Sequence, residues 1–103
     1  MIPKSFNLGG RKWTVVYEDT IEKGRVFGQW NDEKAEVRLA KRVISSYNED
    51  ELTECTEYQL LSSFWHEYGH ILQYYSTGHT DDVFAQTFAT FMTEFNLTKE
   101  YIQ

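Results

Sequence analysis

Residues 66–70 read His66-Glu67-Tyr68-Gly69-His70, which is the pattern H-E-x-x-H. Two histidines four positions apart lie on the same face of a helix, with their Cβ atoms about 5–6 Å apart. Two imidazoles placed in this way can bind one Zn²⁺ ion, with bond lengths of about 2.0–2.1 Å. The spacing therefore predicts that His66 and His70 are metal ligands, provided that the segment is helical.

Glu67 directly follows the first histidine and points to a neighbouring face of the same helix. From there its carboxylate can accept a proton from a metal-bound water, and it is not itself placed to bind the metal. The pattern thus predicts metal-assisted hydrolysis in which Glu67 is the general base.

A site with two histidines is incomplete, because catalytic zinc usually has three protein ligands and one water. The longer pattern H-E-x-x-H-x-x-G-x-x-H would supply a third histidine, but the chain has Gln73 and Ser76 where that pattern needs Gly and His. The third ligand must therefore come from further downstream or from the N-terminal half. The downstream candidates are His79, Asp81, Asp82, Gln86 and Glu94.

The motif lies within the strongest helical pattern of the chain. Apolar residues recur at three- and four-residue steps over residues 60–75, which is typical of an amphipathic helix with a wide apolar face. Thr56 and Asn48 each begin a sequence that resembles a capping box, so both are candidate starts, and Gly78 predicts the end. Gly69 costs about 1 kcal/mol against Ala inside a helix, and it indicates either a close approach of another segment or a tolerated defect.

A second helix is predicted after Gly78. Thr80 is a favourable N-cap, and Asp81 and Asp82 would then lie in the first turn, where the helix dipole stabilises negative charge. The apolar stripe of this helix is predicted to pack in the core, and it includes Val83, Phe84, Thr87, Phe88, Phe91, Met92 and Phe95.

The first forty residues alternate between apolar and polar side chains. This period of two, interrupted by Gly9-Gly10 and by the polar cluster at 31–34, predicts a small antiparallel sheet of three or four strands over residues 4–40. The predicted fold class is α+β: the sheet comes first, followed by the H-E-x-x-H helix and a second packed helix.

The composition limits the class of protein. A chain of 103 residues predicts a single domain over 1–103. A single cysteine, Cys55, excludes an internal disulfide, and with no signal peptide predicted it indicates a cytoplasmic protein. A net charge of −6 argues against a nucleic-acid partner, and no apolar run approaches the ~20 residues that cross a membrane.

The chain resembles the minimal gluzincins, a group of short metallopeptidase-like proteins that includes ImmA/IrrE-type and SprT-like peptidases and many phage-encoded relatives. The resemblance covers nearly the whole chain and is carried by the early sheet, by residues 61–72 around the motif, and by the second helix at 82–89. It implies that Asp82 is the acidic third ligand and that Gln86, one turn later, orients a ligand histidine. The family usually has Glu where this chain has Asp82.

The sequence therefore predicts a zinc-dependent metallopeptidase-like hydrolase that acts on a peptide or protein substrate. One alternative is a zincin fold that no longer cleaves and serves as a binding or regulatory module. Another is an acidic inhibitor or adaptor, which the cluster of carboxylates before the motif helix would favour. That cluster consists of Glu49, Asp50, Glu51, Glu54 and Glu57.

Overall fold

The computed structural model describes residues 1–45, 47–48 and 50–103, so Glu49 of the acidic cluster lies outside the described residues. The elements follow in the order β1 (Ser5–Leu8), β2 (Arg11–Glu18), a short 3-10 turn (Glu22–Gly24), β3 (Gly28–Asn31), β4 (Glu36–Ala40), β5 (Arg42–Ile44), β6 (Leu52–Glu54), α1 (Glu57–Thr77) and α2 (Asp82–Thr98). The predicted α+β class is confirmed.

The main sheet is mixed, and the prediction of an antiparallel sheet was wrong. Its strand order is β1-β2-β4-β3, in which β4 pairs parallel to β2 and antiparallel to β3. Strand β4 buries Val37 and Leu39 on one face, whereas its other face buries Ala40 and leaves Glu36 and Arg38 partly exposed. Val37 and Leu39 are fully covered because β4 lies in the interior of the sheet, between β2 and its own hairpin partner β3.

Strands β5 and β6 form a separate two-stranded antiparallel sheet. They occupy a segment in which the sequence offered Asn48 as a helix start, and that start is wrong. The helix begins instead after Thr56, whose hydroxyl accepts a hydrogen bond from the Gln59 backbone N–H at 3.1 Å while the Gln59 side chain accepts from the Thr56 N–H at 2.9 Å. This reciprocal capping box satisfies two backbone donors that the first helical turn leaves free.

Helix α1 ends as predicted, at Gly78. This residue has φ +77°, and its N–H donates to the Tyr74 carbonyl. The left-handed conformation is one that glycine adopts without a steric penalty, so the chain can reverse direction here.

The core lies between the main sheet and one face of α1. Trp13, Val37 and Leu39 from the sheet pack with Phe64 and Ile71 from the helix, and all five are almost completely buried. These contacts fix the orientation of α1 and therefore the direction in which its opposite face presents His66 and His70.

Helix α2 packs against α1 through small side chains. Its N-cap is Asp81, which accepts from the Phe84 N–H at 2.7 Å, so the prediction of Thr80 as N-cap was wrong by one residue. Its buried residues are Ala85, Ala89 and Thr93. The predicted packing of the phenylalanine stripe holds only in part, because Phe91 and Phe95 are 66% and 59% exposed.

Neither helix of the described chain combines the length and the apolarity that a bilayer crossing requires.

Candidate metal centre

Three side chains from the two helices converge on one point. Among the described residues, His66, His70 and Asp82 form a group whose potential ligand atoms all lie within 4.8 Å of one another. The two histidines are one turn apart on α1, and Asp82 is the first residue of α2. The structure thus brings together the two histidines of the motif and the residue that the family resemblance selected as third ligand.

The distances between these atoms lie within about 0.2 Å of those that a tetrahedral zinc ion requires. The two Nε2 atoms are 3.1 Å apart, and Oδ1 of Asp82 lies 3.2 Å from His70 Nε2 and 3.6 Å from His66 Nε2. For zinc bonds of about 2.0–2.2 Å, the edge of a tetrahedron around the ion is about 3.3–3.6 Å long. Two nitrogens and one carboxylate oxygen at this spacing fit three corners, and the fourth corner is left for water or substrate.

Gln86 orients His66. Its Oε1 atom lies 3.2 Å from Nδ1 of His66, and because an amide oxygen only accepts, the imidazole donates from Nδ1. The lone pair of the neutral ring is then on Nε2, which faces His70 and Asp82. The role that the resemblance implied for Gln86 agrees with this contact.

His70 is prepared differently. Burial, and secondarily the proximity of His66, lowers the pKa of His70, so this imidazole is neutral near pH 7. Its Nδ1 atom is buried and has no hydrogen-bond partner within the described part of the chain. A neutral imidazole whose Nε2 atom lies close to two other potential metal-ligand atoms is suited to bind a cation.

Glu67 lies beside the cluster and is almost completely buried, with 6% of its surface exposed. The cover comes from β3, since a Cβ atom added at Gly28 would lie 3.2 Å from Cγ of Glu67. Burial, with a smaller contribution from the negative charge of Asp82, raises the pKa of Glu67 to about 7. A cation bound between Glu67 and Asp82 would oppose both causes.

Gly69 sets the distance between the two helices. A Cβ atom at this position would lie 3.1 Å from Phe88 Cδ1 and 3.3 Å from the Cα atom of Ala85. The close approach that the sequence offered as one explanation of Gly69 is therefore confirmed. Ala85 is one turn from Asp82, so this contact also positions the candidate third ligand.

The remaining candidates for third ligand lie outside the group. Asp81 caps α2 and accepts a hydrogen bond from Gln73 Nε2 at 3.0 Å, and the backbone N–H of Phe84 is the main cause that lowers the pKa of Asp81. The N–H of His79 donates to Thr77 Oγ1. Glu94 is twelve positions beyond Asp82 along α2, a separation of about 18 Å in a helix.

Gly28 is a positioning residue of the candidate site that the sequence did not reveal. A glycine inside a strand signals a close approach of another group, and Gly28 stands in an otherwise strand-like run from Val26 to Trp30. The glycine indicated that some group approaches this strand closely, but the sequence did not show that this group is Glu67.

A scan against models of protein families, a search of curated proteins and a search of solved structures each gave no match to this chain. The resemblance to the minimal gluzincins therefore stays a prediction, carried by the motif and the order of the elements.

Proposed function

We propose that this chain is a zinc-dependent hydrolase that cleaves peptide bonds, with His66, His70 and Asp82 as metal ligands. The observation that carries the proposal is the near-tetrahedral spacing of their three donor atoms, at 3.1, 3.2 and 3.6 Å. The buried carboxyl group of Glu67 lies beside them. The choice of zinc rests on the donor set, because two imidazoles and one carboxylate are typical of catalytic zinc.

Zinc in such a site supplies two effects: it lowers the pKa of water toward about 7, and it polarises a carbonyl group. Glu67 accepts a proton from the attacking water and later returns it to the leaving amine. Gln86 holds His66 in the tautomer that leaves Nε2 free. The strand β3 shields Glu67 from bulk water, which strengthens its electrostatic interactions with the reacting groups.

The substrate is expected to bind along β3. This strand pairs with β4 on one side, and no other strand of the described chain pairs with its outer edge. An extended peptide could add there by backbone hydrogen bonds and would pass close to Glu67 through Gly28. Trp30 lies on this strand, whereas Val37, the other segment that the sequence offers for strand addition, is in the interior strand β4 and is fully buried.

The domain is small, so its cleft is shallow and suits a flexible peptide segment or a partner protein that completes the site. We expect the protein to act in the cytoplasm, a reducing compartment in which Cys55 remains a thiol.

Elemental analysis of protein purified without a histidine tag tests the metal site. We expect about one zinc per chain in the wild type, none in His66→Ala, and a strongly reduced content in Asp82→Ala. Asp81→Asn is the matched control, because it removes this neighbouring charge, keeps an acceptor for the helix cap and should leave the zinc content near that of the wild type. A wild type that stays free of metal after zinc is added would overturn the proposal.

Cleavage is tested separately with a library of unstructured peptides. Zinc-loaded wild type should cleave, and Glu67→Gln should lose at least 100-fold in rate while it retains its zinc. A zinc-loaded wild type that is no faster than Glu67→Gln would instead indicate a binding or regulatory module that uses the same fold.

A further inference from the structure

A cavity of about 340 Å³ opens directly beside the metal centre. It lies between the beginning of β3 and the first half of α1, and His66 and Glu67 form the wall that it shares with the metal centre. For comparison, a dry cavity of about 150 Å³ accommodates benzene. The space is therefore large enough for a complete aromatic or branched aliphatic side chain.

The lining of this cavity selects against charge. Phe27 and Tyr58 stand at its walls with 44% and 56% of their surface exposed, so both rings are available to a ligand. Among the described lining residues, His66, Glu67 and Tyr58 are the ionisable ones, and a tyrosine is ordinarily uncharged near neutral pH. A carboxylate or ammonium group placed there would lose hydration, which the uncharged polar groups of the lining, mainly amides and hydroxyls, would replace only in part.

The space itself comes from two small side chains. Ser62 and Ser63 lie three and four residues after Gln59 and four and three residues before His66, so these side chains share one helix face. At 62 and 63 this face carries only serines, both half-buried, where larger residues would fill the cavity. The serines thus keep open a volume that begins one turn before the metal ligand.

The cavity lies within one helical turn of His66, and this separation can be compared with the spacing of residues in a bound peptide. Ser62 and Ser63 precede His66 by four and three residues, which is about 4.5–6 Å along the helix axis. Neighbouring Cα atoms of a peptide are about 3.8 Å apart. A peptide whose carbonyl lies at the metal can therefore reach the cavity with the side chain of an adjoining residue.

We propose that this cavity is a specificity pocket for an uncharged, bulky apolar side chain, with Phe27, Tyr58, Ser62 and Ser63 as its determinants. That the side chain adjoins the cleaved bond rests on the proposed function. The pocket itself is built from protein atoms alone and binds its ligand with or without metal.

The test is a titration with N-acetyl-phenylalanine amide, followed by ¹⁵N chemical-shift changes and run once with chelator and once with zinc. N-acetyl-alanine amide and the charged N-acetyl-glutamate amide serve as comparison ligands. We expect the phenylalanine ligand to bind about tenfold more tightly than either, with shifts centred on residues 27, 58, 62 and 63. Equal affinity for all three ligands would overturn the proposal.

Ser63→Leu fills the pocket and should weaken the phenylalanine ligand about tenfold, whereas Ser76→Leu, further along the same helix, should not. Phe27→Ala removes a wall from the strand side and gives a second, independent readout if Ser63→Leu does not fold. Unchanged affinity in a folded pocket variant would contradict the proposal. The titration with chelator needs no metal. If the phenylalanine ligand binds selectively in that titration and elemental analysis finds no zinc in the wild type, the proposed hydrolysis is refuted and the proposed pocket is supported.

Discussion

The two helices bury opposite kinds of side chain. Helix α1 packs large residues against the sheet, and Leu61, Phe64 and Ile71 are at most 1% exposed. Helix α2 buries small residues against α1 and leaves Phe91 and Phe95 mostly in solvent. The first arrangement draws its stability from apolar area, whereas the second depends on a close helix-to-helix distance.

This difference divides the candidate metal centre into a firmly held part and an adjustable part. His66 and His70 lie on the helix that the core fixes in place. Asp82 lies on the other helix, with a side chain that is 88% exposed. The position of the third donor therefore depends on the contact at Gly69, and its affinity for metal should respond to changes that leave the core intact.

Replacing one phenylalanine on each helix gives the largest contrast. Phe64→Ala should lower the free energy of unfolding by about 3–5 kcal/mol, since it leaves a cavity in the core. Phe95→Ala should change it by less than about 0.5 kcal/mol, because that ring is exposed. Urea denaturation of the metal-free proteins measures both, and similar losses would show that the α2 stripe is packed after all.

The next largest effect is the pH dependence that Glu67 causes in the metal-free protein. Its pKa rises from 4.5 to about 7 on folding, so folding favours the protonated form. The associated stability is fully present below pH 4.5 and is lost as the pH rises through 7. We expect the wild type to lose roughly 2–3 kcal/mol relative to Glu67→Gln between pH 4.5 and pH 8.

Urea denaturation of both proteins at pH 4.5, 6 and 8, with chelator present, measures this difference. Other titrating groups, including His70, are common to the two proteins and cancel. Parallel curves for the wild type and Glu67→Gln would show that Glu67 is not buried as described.

Gly69→Ala tests the contact between the helices. The added methyl group meets the backbone of Ala85 at 3.3 Å, so α2 must move by a few tenths of an ångström. The zinc affinity should fall about tenfold, although alanine is the better helix former by about 1 kcal/mol. Competition with a zinc chelator of known affinity measures the change, and Thr90→Ala on the exposed side of α2 is the control. An unchanged affinity would mean that Asp82 tolerates this displacement.

The smallest expected effect is the loss of the α2 cap. Asp81→Ala removes the acceptor of the Phe84 N–H bond and should lower the free energy of unfolding by about 1 kcal/mol. Thermal unfolding followed by circular dichroism measures it. Asp81→Asn should keep most of the stability, since asparagine caps nearly as well, and a loss equal to that of alanine would assign the effect to charge rather than to the cap.

Local patterns predicted the helices well and the sheet less well. The periodicity of α1, its Thr56 cap and its Gly78 end all depend on neighbours within four residues, and all three are confirmed. The partner of β4 depends on which strand takes the interior position of the sheet, and alternation along a single strand does not contain that information. For the same reason the sequence could not show that Phe91 and Phe95 remain exposed.

For the candidate metal centre, too, the sequence predicted local relations better than contacts between distant segments. His66 and His70 share one helix, so their spacing predicted their convergence. Asp82 was separated from Asp81 and His79 only through the family resemblance, because the register of α2 against α1 is set by Gly69 and Ala85. Gly28 covers Glu67 although the two residues lie in distant segments of the chain, and no local sequence pattern encodes this contact.

The spacing of these groups along the chain also bears on the order of assembly during folding. The three proposed metal ligands lie in one helix hairpin, residues 66–82, whose closure joins neighbouring segments. Gly28 stands 39 positions before Glu67, so covering the Glu67 carboxyl group requires a much longer loop to close. Short loops close faster and at a lower entropic cost than long ones. We therefore expect a refolding chain to capture its metal before the sheet closes over Glu67, so that metal binding precedes catalytic competence.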